Sequence, residues 1–92
     1  MNDFYEGRPM TTLLPGDRVK VIGEIFQWMY DGLGAGPWNL VIEKLTTTHH
    51  SGSSRDLYLV KNTNNYRSTG IYRFRLELIE SVVLPNHLFT ID

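Results

Sequence analysis

Alternation of apolar and polar residues indicates where the strands of this chain lie. Residues 18–21, RVKV, place Val19 and Val21 on one side and Arg18 and Lys20 on the other, directly after a Pro-Gly-Asp turn. A period of two is typical of a strand with one buried face. We therefore predict the first strand here, with both basic side chains facing solvent.

Three later segments also have the composition of strands. Two of them, one starting at Trp38 and one covering residues 55–62, are rich in β-branched and apolar side chains. The third, residues 71–81, alternates most clearly, which predicts that Tyr72 and Phe74 point into the core and that the arginines between them point outward. A short last strand is predicted in the tail after residue 82.

Polar segments separate these strands. Residues 48–54, THHSGSS, and residues 62–70, NTNNYRSTG, contain the Gly, Asn and Ser residues that favour turns. No segment of twelve residues sustains the apolar spacing of a helix. The sequence therefore predicts an all-β fold: a small barrel of five to six strands over residues 13–92, including a C-terminal extension, after a flexible N-terminal arm at residues 1–12.

The most unusual segment is residues 26–39, FQWMYDGLGAGPWN, which combines four large aromatic side chains with three glycines. If the first strand continues into it, Phe26 and Trp28 face the barrel core, although a surface position for Trp28 is an equal alternative. Tyr30 and Trp38 flank the glycines, and rigid aromatic side chains at the surface are good anchors for a partner. We therefore predict a protein-binding site at Trp28, Tyr30 and Trp38.

A second candidate site is a local strip of basic and aromatic side chains. Outward-facing arginines in residues 67–75 would join the basic side chains of the first strand, and a tyrosine beside them would offer a surface for base stacking. A solvated face balanced by acidic neighbours is the alternative. The candidate nucleic-acid-binding residues are Arg18, Lys20, Tyr66, Arg67, Arg73 and Arg75.

Composition limits the classes of function. Nine Lys and Arg against ten Asp and Glu give a net charge of -1, so the whole molecule exerts no general attraction on nucleic acid. The absence of cysteine suits a reducing compartment, and we predict a cytoplasmic location. The N-terminus lacks the basic and apolar regions of a secretory signal, and the apolar runs fall short of the roughly 20 residues that span a bilayer, so no membrane insertion is predicted.

Candidate chemistry is sparse. The GLGAGP segment lacks the spacing and the Lys-Ser/Thr ending of phosphate-binding loops. His49 and His50 are adjacent in a polar loop, and distant His87 does not complete a metal site. No nucleophile or carboxylate pair lies in a recognisable catalytic frame. We therefore predict a protein that is not an enzyme and has no cofactor or bound metal.

The order of these segments resembles the Src-homology-3-like small barrels, including the KOW type. The resemblance covers roughly residues 13–81 and rests on a GDxVxV opening, here Gly16, Asp17, Val19 and Val21. EIFQWMYDGLG and NTNN are also similar to segments of photosystem I reaction-centre subunit IV, a barrel that helps dock ferredoxin, although YRSTGIYRFR here separates NTNN from the closing strand. The resemblance implies a barrel whose long first connection supplies ligand-binding aromatics.

Three hypotheses of function follow. The leading one is a non-catalytic module that docks on a protein partner through the aromatic and glycine-rich loop of residues 27–38. The alternative is a KOW-like protein that binds nucleic acid through the basic strip. A third, a phage-type host-modulating or virion protein, overlaps the first. The sequence leaves the partner and the oligomeric state open.

Overall fold

The computed structural model describes residues 11–47 and 52–82. These form one five-stranded antiparallel sheet with the strand order β4-β3-β2-β1-β5. The elements in chain order are β1 (Arg18–Val21), α1 (Gln27–Leu33), β2 (Leu40–Thr47), β3 (Leu57–Asn62), β4 (Arg67–Tyr72), a short 3-10 helix η1 (Arg73–Arg75) and β5 (Leu76–Glu80). The prediction of a small all-β domain is confirmed, with one short helix added.

The central strands pair through their apolar positions. Val19 of β1 lies opposite Leu40 of β2 on one side and Leu78 of β5 on the other. β3 and β4 form a regular hairpin, and η1 then links the two edge strands, β4 and β5, without an intervening loop. The side chains of Arg18 and Lys20 are exposed on β1, as the alternation predicts.

One apolar core lies beneath the sheet. Tyr58 is fully buried, and its hydroxyl accepts a hydrogen bond of 3.1 Å from the backbone N–H of Leu13, which ties the start of the domain to β3. A buried tyrosine needs such a partner, since an unpaired hydroxyl would be costly there. The core cluster consists of Leu13, Val19, Leu33, Leu40, Ile42, Tyr58, Val60, Ile71 and Leu76.

The Pro-Gly-Asp turn before β1 is held by a buried carboxylate. Asp17 is only 2% exposed, and one of its oxygens accepts a 2.8 Å hydrogen bond from the N–H of Leu14. The other oxygen accepts a 2.8 Å bond from the N–H of Val82, just after β5. Asp17 therefore closes its own turn and ties the segment after β5 to it.

Several predicted boundaries were wrong. Residues 27–33 form a helix where a continued strand and loop were expected, and β4 begins at Arg67, inside the predicted loop of residues 62–70. The continuous strand predicted over residues 71–81 is interrupted by η1. The last predicted strand and most of the N-terminal arm lie outside the described residues. Within the described ranges, no helix is long and apolar enough to cross a membrane.

Candidate functional site: an exposed aromatic row

Helix α1 sets the direction of the aromatic side chains in the first connection. Its seven residues bury only Met29 and Leu33, which lie four positions apart and therefore share one helical face. Phe26 precedes the helix with an extended backbone, and Trp28 projects from its first turn with 42% of its surface exposed. Phe26, predicted to face the core, is only half-buried, and of the two positions left open for Trp28 the exposed one is observed.

The 3-10 helix η1 sets the direction of the aromatic side chains on the other side of the site. Because this helix turns by about 120° per residue, it ends the alternation of β4 before β5 begins. Tyr72 and Phe74, predicted to face the core, are 47% and 44% exposed. Arg73, predicted to face solvent, is buried instead.

Buried Arg73 is held by backbone carbonyl groups. Its Nε donates a 2.8 Å hydrogen bond to the carbonyl oxygen of Thr11, and its Nη1 donates one of 2.6 Å to that of Leu76. Burial lowers the pKa of the Arg73 guanidinium, and the charge interaction with Tyr58 opposes that shift. Arg73 therefore supports η1 from the interior. Its buried side chain cannot contact a nucleic acid, contrary to the prediction.

Together α1 and η1 form one continuous surface, which we call the aromatic row: Trp28, Phe26, Arg75, Phe74 and Tyr72. The rings of Trp28 and Phe26 stack with their centroids 6.4 Å apart, and those of Tyr72 and Phe74 stack at 6.1 Å. Arg75 joins the two pairs, because its guanidinium carbon lies 4.6 Å from the Phe26 ring centroid and 4.8 Å from that of Phe74. The sequence does not indicate this row, since the unbroken alternation of residues 71–78 favours rings that point inward.

The other predicted partner-binding residues lie on the far end of the first connection. Tyr30 is 41% exposed and packs on Trp38, with ring centroids 5.1 Å apart. Trp38 is half-buried against the core, and its indole N–H donates a 2.8 Å hydrogen bond to the carbonyl oxygen of Gly34. Tyr30 therefore reaches the surface as predicted, whereas Trp38 mainly fixes the loop after the helix.

Two asparagines of the NTNN turn hold the end of α1. The side-chain amides of Asn62 and Asn65 each donate a 2.9 Å hydrogen bond to the carbonyl oxygen of Leu33, the last residue of the helix. The Asn62 amide oxygen also accepts bonds of 3.1 Å from the N–H groups of Asn39 and Asn64. We call Asn62 and Asn65 the asparagine clamp. It satisfies a helix-end carbonyl that has no partner within the helix.

Glycines let the clamp and the sheet approach the helix closely. A Cβ atom at Gly32 would lie 2.7 Å from the side chain of Thr69 on β4, against which α1 packs. Gly34 has a φ of 85° and ends the helix, and a Cβ atom there would lie 2.5 Å from the Asn65 amide nitrogen. Glycine adopts a positive φ of this kind at no steric cost, whereas other residues are strained there. These contacts explain two of the glycines among the bulky aromatics.

The predicted basic strip is dispersed. Arg18 forms a 3.1 Å ion pair with Glu80, and Lys20 lies 3.7 Å from Glu77. Arg67 lies on β4, at the opposite edge of the sheet from β5, and its Nη2 donates a 3.0 Å hydrogen bond to the carbonyl oxygen of Asp31. Next to Arg67, Tyr66 is 77% exposed, with the Lys61 ammonium 5.7 Å from its ring centroid.

Neither a metal-binding cluster nor a histidine occurs among the residues that the structure describes. Across residues 11–47 and 52–82, no group of three or more His, Asp or Glu side chains is placed to hold a metal ion. The three histidines of the sequence, His49, His50 and His87, lie outside the described residues.

Comparison with protein-family models, with curated proteins and with solved structures yields no match to this chain.

Proposed function

We propose that this protein is a non-catalytic binding module that captures a protein partner through the aromatic row. The observation that carries the proposal is the exposure of three large aromatic side chains in one stacked series with Arg75. Aromatic residues and arginine are enriched in protein interfaces, and Trp, Tyr and Arg contribute most often to their binding energy. A continuous exposed apolar patch on a small domain is also typical of an interaction site.

The backbone beneath the row is well fixed, which favours binding. The N–H of Phe74 donates a 3.0 Å hydrogen bond to the carbonyl oxygen of Ser54, and the carbonyl oxygen of Arg75 accepts one of 2.8 Å from Ile22. On the other side, Met29 and Leu33 anchor α1 in the interior. A surface that is already ordered loses less conformational entropy on binding, so more of the contact energy remains as affinity.

The charge distribution favours a protein over a nucleic acid. Binding to a polyanion depends on several cations that each neutralise a phosphate. Arg18 and Lys20 already have acidic partners, and the side chain of Arg73 is buried. Arg75 is the one cation within the aromatic row, and the net charge of the chain is -1.

The proposal includes a Src-homology-3-like fold for this module. Five short antiparallel strands in one sheet, with the longest aromatic segment between the first two, support that relationship. In the resemblance described above, the same connection supplies ligand-binding aromatics. The row differs from the predicted site in one respect: Trp28 is shared, whereas Phe26, Tyr72, Phe74 and Arg75 take the place of Tyr30 and Trp38.

Comparative affinity capture tests the proposed function. The full chain, a Trp28→Ala/Phe74→Ala variant and a Tyr66→Ala variant are immobilised and exposed to extract of the source organism, with and without nuclease. Tyr66 is a matched control, because it is an exposed aromatic residue outside the row. We expect a protein that is retained by the parent chain and Tyr66→Ala after nuclease treatment but lost with the double variant.

Two results would contradict the proposal. Identical capture by the parent and the double variant would show that the row is not the interaction surface. Capture that disappears on nuclease treatment and with Tyr66→Ala would favour the nucleic-acid alternative. Circular dichroism of each variant before capture establishes that the fold is retained.

A further inference from the structure

The side chain of Arg75 has unused hydrogen-bonding capacity at the centre of the aromatic row. Its guanidinium lies over the rings of Phe26 and Phe74, and an arginine stacked on a ring keeps its in-plane N–H groups available for other partners. Among residues 11–47 and 52–82, the Arg75 side chain makes no hydrogen bond or ion pair. By contrast, Lys20 and Arg18 on β1 are both paired with acids.

The position of Arg75 makes an incoming carboxylate favourable. Arg75 is half-buried, so its charge is less screened by water than that of the exposed lysines, and a new ion pair here would be stronger than one at the open surface. The planar guanidinium also matches a carboxylate in a bidentate geometry. The missing acid must then come from the bound molecule.

The spacing of the row suits an extended peptide. An extended chain rises about 3.3 Å per residue, so alternate side chains on one side are about 6.6 Å apart. The ring centroids within the two stacked pairs are 6.4 Å and 6.1 Å apart. The inner rings of the two pairs lie 4.6 Å and 4.8 Å from the Arg75 guanidinium carbon. Side chains two residues before and after the one that meets Arg75 therefore fall over the ring pairs on either side.

From this geometry we propose that the row binds an extended acidic peptide segment, in which an Asp or Glu pairs with Arg75. Apolar side chains two residues before and after the acid contact the ring pairs on either side. The recognised pattern is apolar-x-acid-x-apolar. This inference rests on the proposed function, since it assigns the chemistry of the partner at the same surface.

The test uses the full chain and a phage-displayed library of random nonapeptides. A synthetic peptide with the selected consensus is then titrated by fluorescence anisotropy, beside its Glu→Gln counterpart. We expect an enriched acid with apolar residues at two-residue spacing. Losing the carboxylate should weaken binding by about tenfold or more, since hydrogen bonds to charged groups are the strong ones.

Variants of the protein locate the effect. Arg75→Gln should weaken binding by a similar factor and should no longer distinguish the Glu peptide from the Gln peptide. Arg55→Gln is the matched control, since Arg55 is exposed and outside the row, and it should bind as the parent does. The peptide substitution leaves the protein intact, so the test holds even if Arg75→Gln disturbs the ring stacking.

The outcomes separate the two proposals. Selected peptides without an acid, or a Glu→Gln change within about twofold, would overturn the acidic-peptide inference. The proposed function would survive that result if Trp28→Ala/Phe74→Ala still abolished binding. If no peptide is selected, the acidic-peptide inference fails. If the double variant binds the selected peptide equally well, or if oligothymidylate displaces that peptide, both proposals fail.

Discussion

Replacing Asn62 by alanine should destabilise the domain far more than replacing its exposed neighbour Asn64. Asn62 is 1% exposed and makes three side-chain hydrogen bonds: one to the carbonyl oxygen of Leu33 and two from the N–H groups of Asn39 and Asn64. At about 1 kcal/mol for each net hydrogen bond, the expected loss of unfolding free energy is about 2–4 kcal/mol. The remaining bond from Asn65 to Leu33 keeps the loss within that range.

That loss is large for a domain of this size. Small domains are stabilised by about 5–15 kcal/mol in total, and each kcal/mol shifts the midpoint of thermal unfolding by about 4–8 °C. We therefore expect Asn62→Ala to lower Tm by about 8–32 °C. Asn64→Ala removes one exposed side-chain bond, to the carbonyl oxygen of Pro37, and should cost less than about 1 kcal/mol.

Urea unfolding followed by tryptophan fluorescence and by far-ultraviolet circular dichroism measures both variants. Coincident transitions would justify a two-state free energy, and similar slopes would allow the midpoints to be compared. If Asn62→Ala costs less than about 1 kcal/mol, or no more than Asn64→Ala, the hydrogen bonds of the asparagine clamp do not stabilise the domain as argued.

Two further pairs of variants test other parts of the framework, each by the same urea titration. Gly34→Ala should lower the free energy of unfolding by about 1–3 kcal/mol, because φ is 85° and the new Cβ atom would meet the Asn65 amide. Gly36→Ala should have little effect, because the space around Gly36 is open. Equal losses of stability in the two glycine variants would refute the strain and crowding argued for Gly34. Asp17→Asn should cost about 1–3 kcal/mol, because one backbone N–H would face an amide NH2; exposed Asp31→Asn should change stability by less than about 0.5 kcal/mol. An Asp17→Asn variant as stable as the parent would contradict the role of this carboxylate in holding its turn and the segment after β5.

Much of the sheet was predictable, because its strands alternate or are rich in β-branched residues. Val19 is buried between exposed Arg18 and Lys20, and β3 lies within the predicted residues 55–62. Both follow from local sequence, since a half-buried strand repeats every two residues. The Pro-Gly-Asp turn was also found, although the sequence did not reveal that the Asp17 carboxylate accepts bonds from two separate segments.

The helix was missed because it is short and has few local signals. Only Met29 and Leu33 indicate a helical face, and residues 26–30 fit a strand period equally well. Phe26 makes no side-chain cap, and the helix has no acidic residue in its first turn or basic residue in its last. Its stability comes from tertiary contacts with the core, β4 and the clamp, which sequence-local reasoning does not include.

The candidate site was missed for a related reason. One turn of 3-10 helix after Tyr72 reverses which side chains face the core, so buried Arg73 and exposed Phe74 exchange their predicted roles. The alternation in the sequence continues through this turn, and nothing local distinguishes the two arrangements. The position of Arg75 between two rings depends on residues almost fifty positions apart in the chain.

The fold separates the proposed binding surface from the contacts that hold it in place. Trp28 projects from the first turn of α1 into solvent, whereas Leu33 at the other end of the same helix is buried and carries the carbonyl held by the asparagine clamp. Removing an exposed ring takes contact area from a partner but leaves the core packed. Removing the clamp loosens the helix that presents Trp28, so stability and binding decline together. A variant that loses binding at full stability therefore identifies the surface itself, and the aromatic row is where such variants are expected.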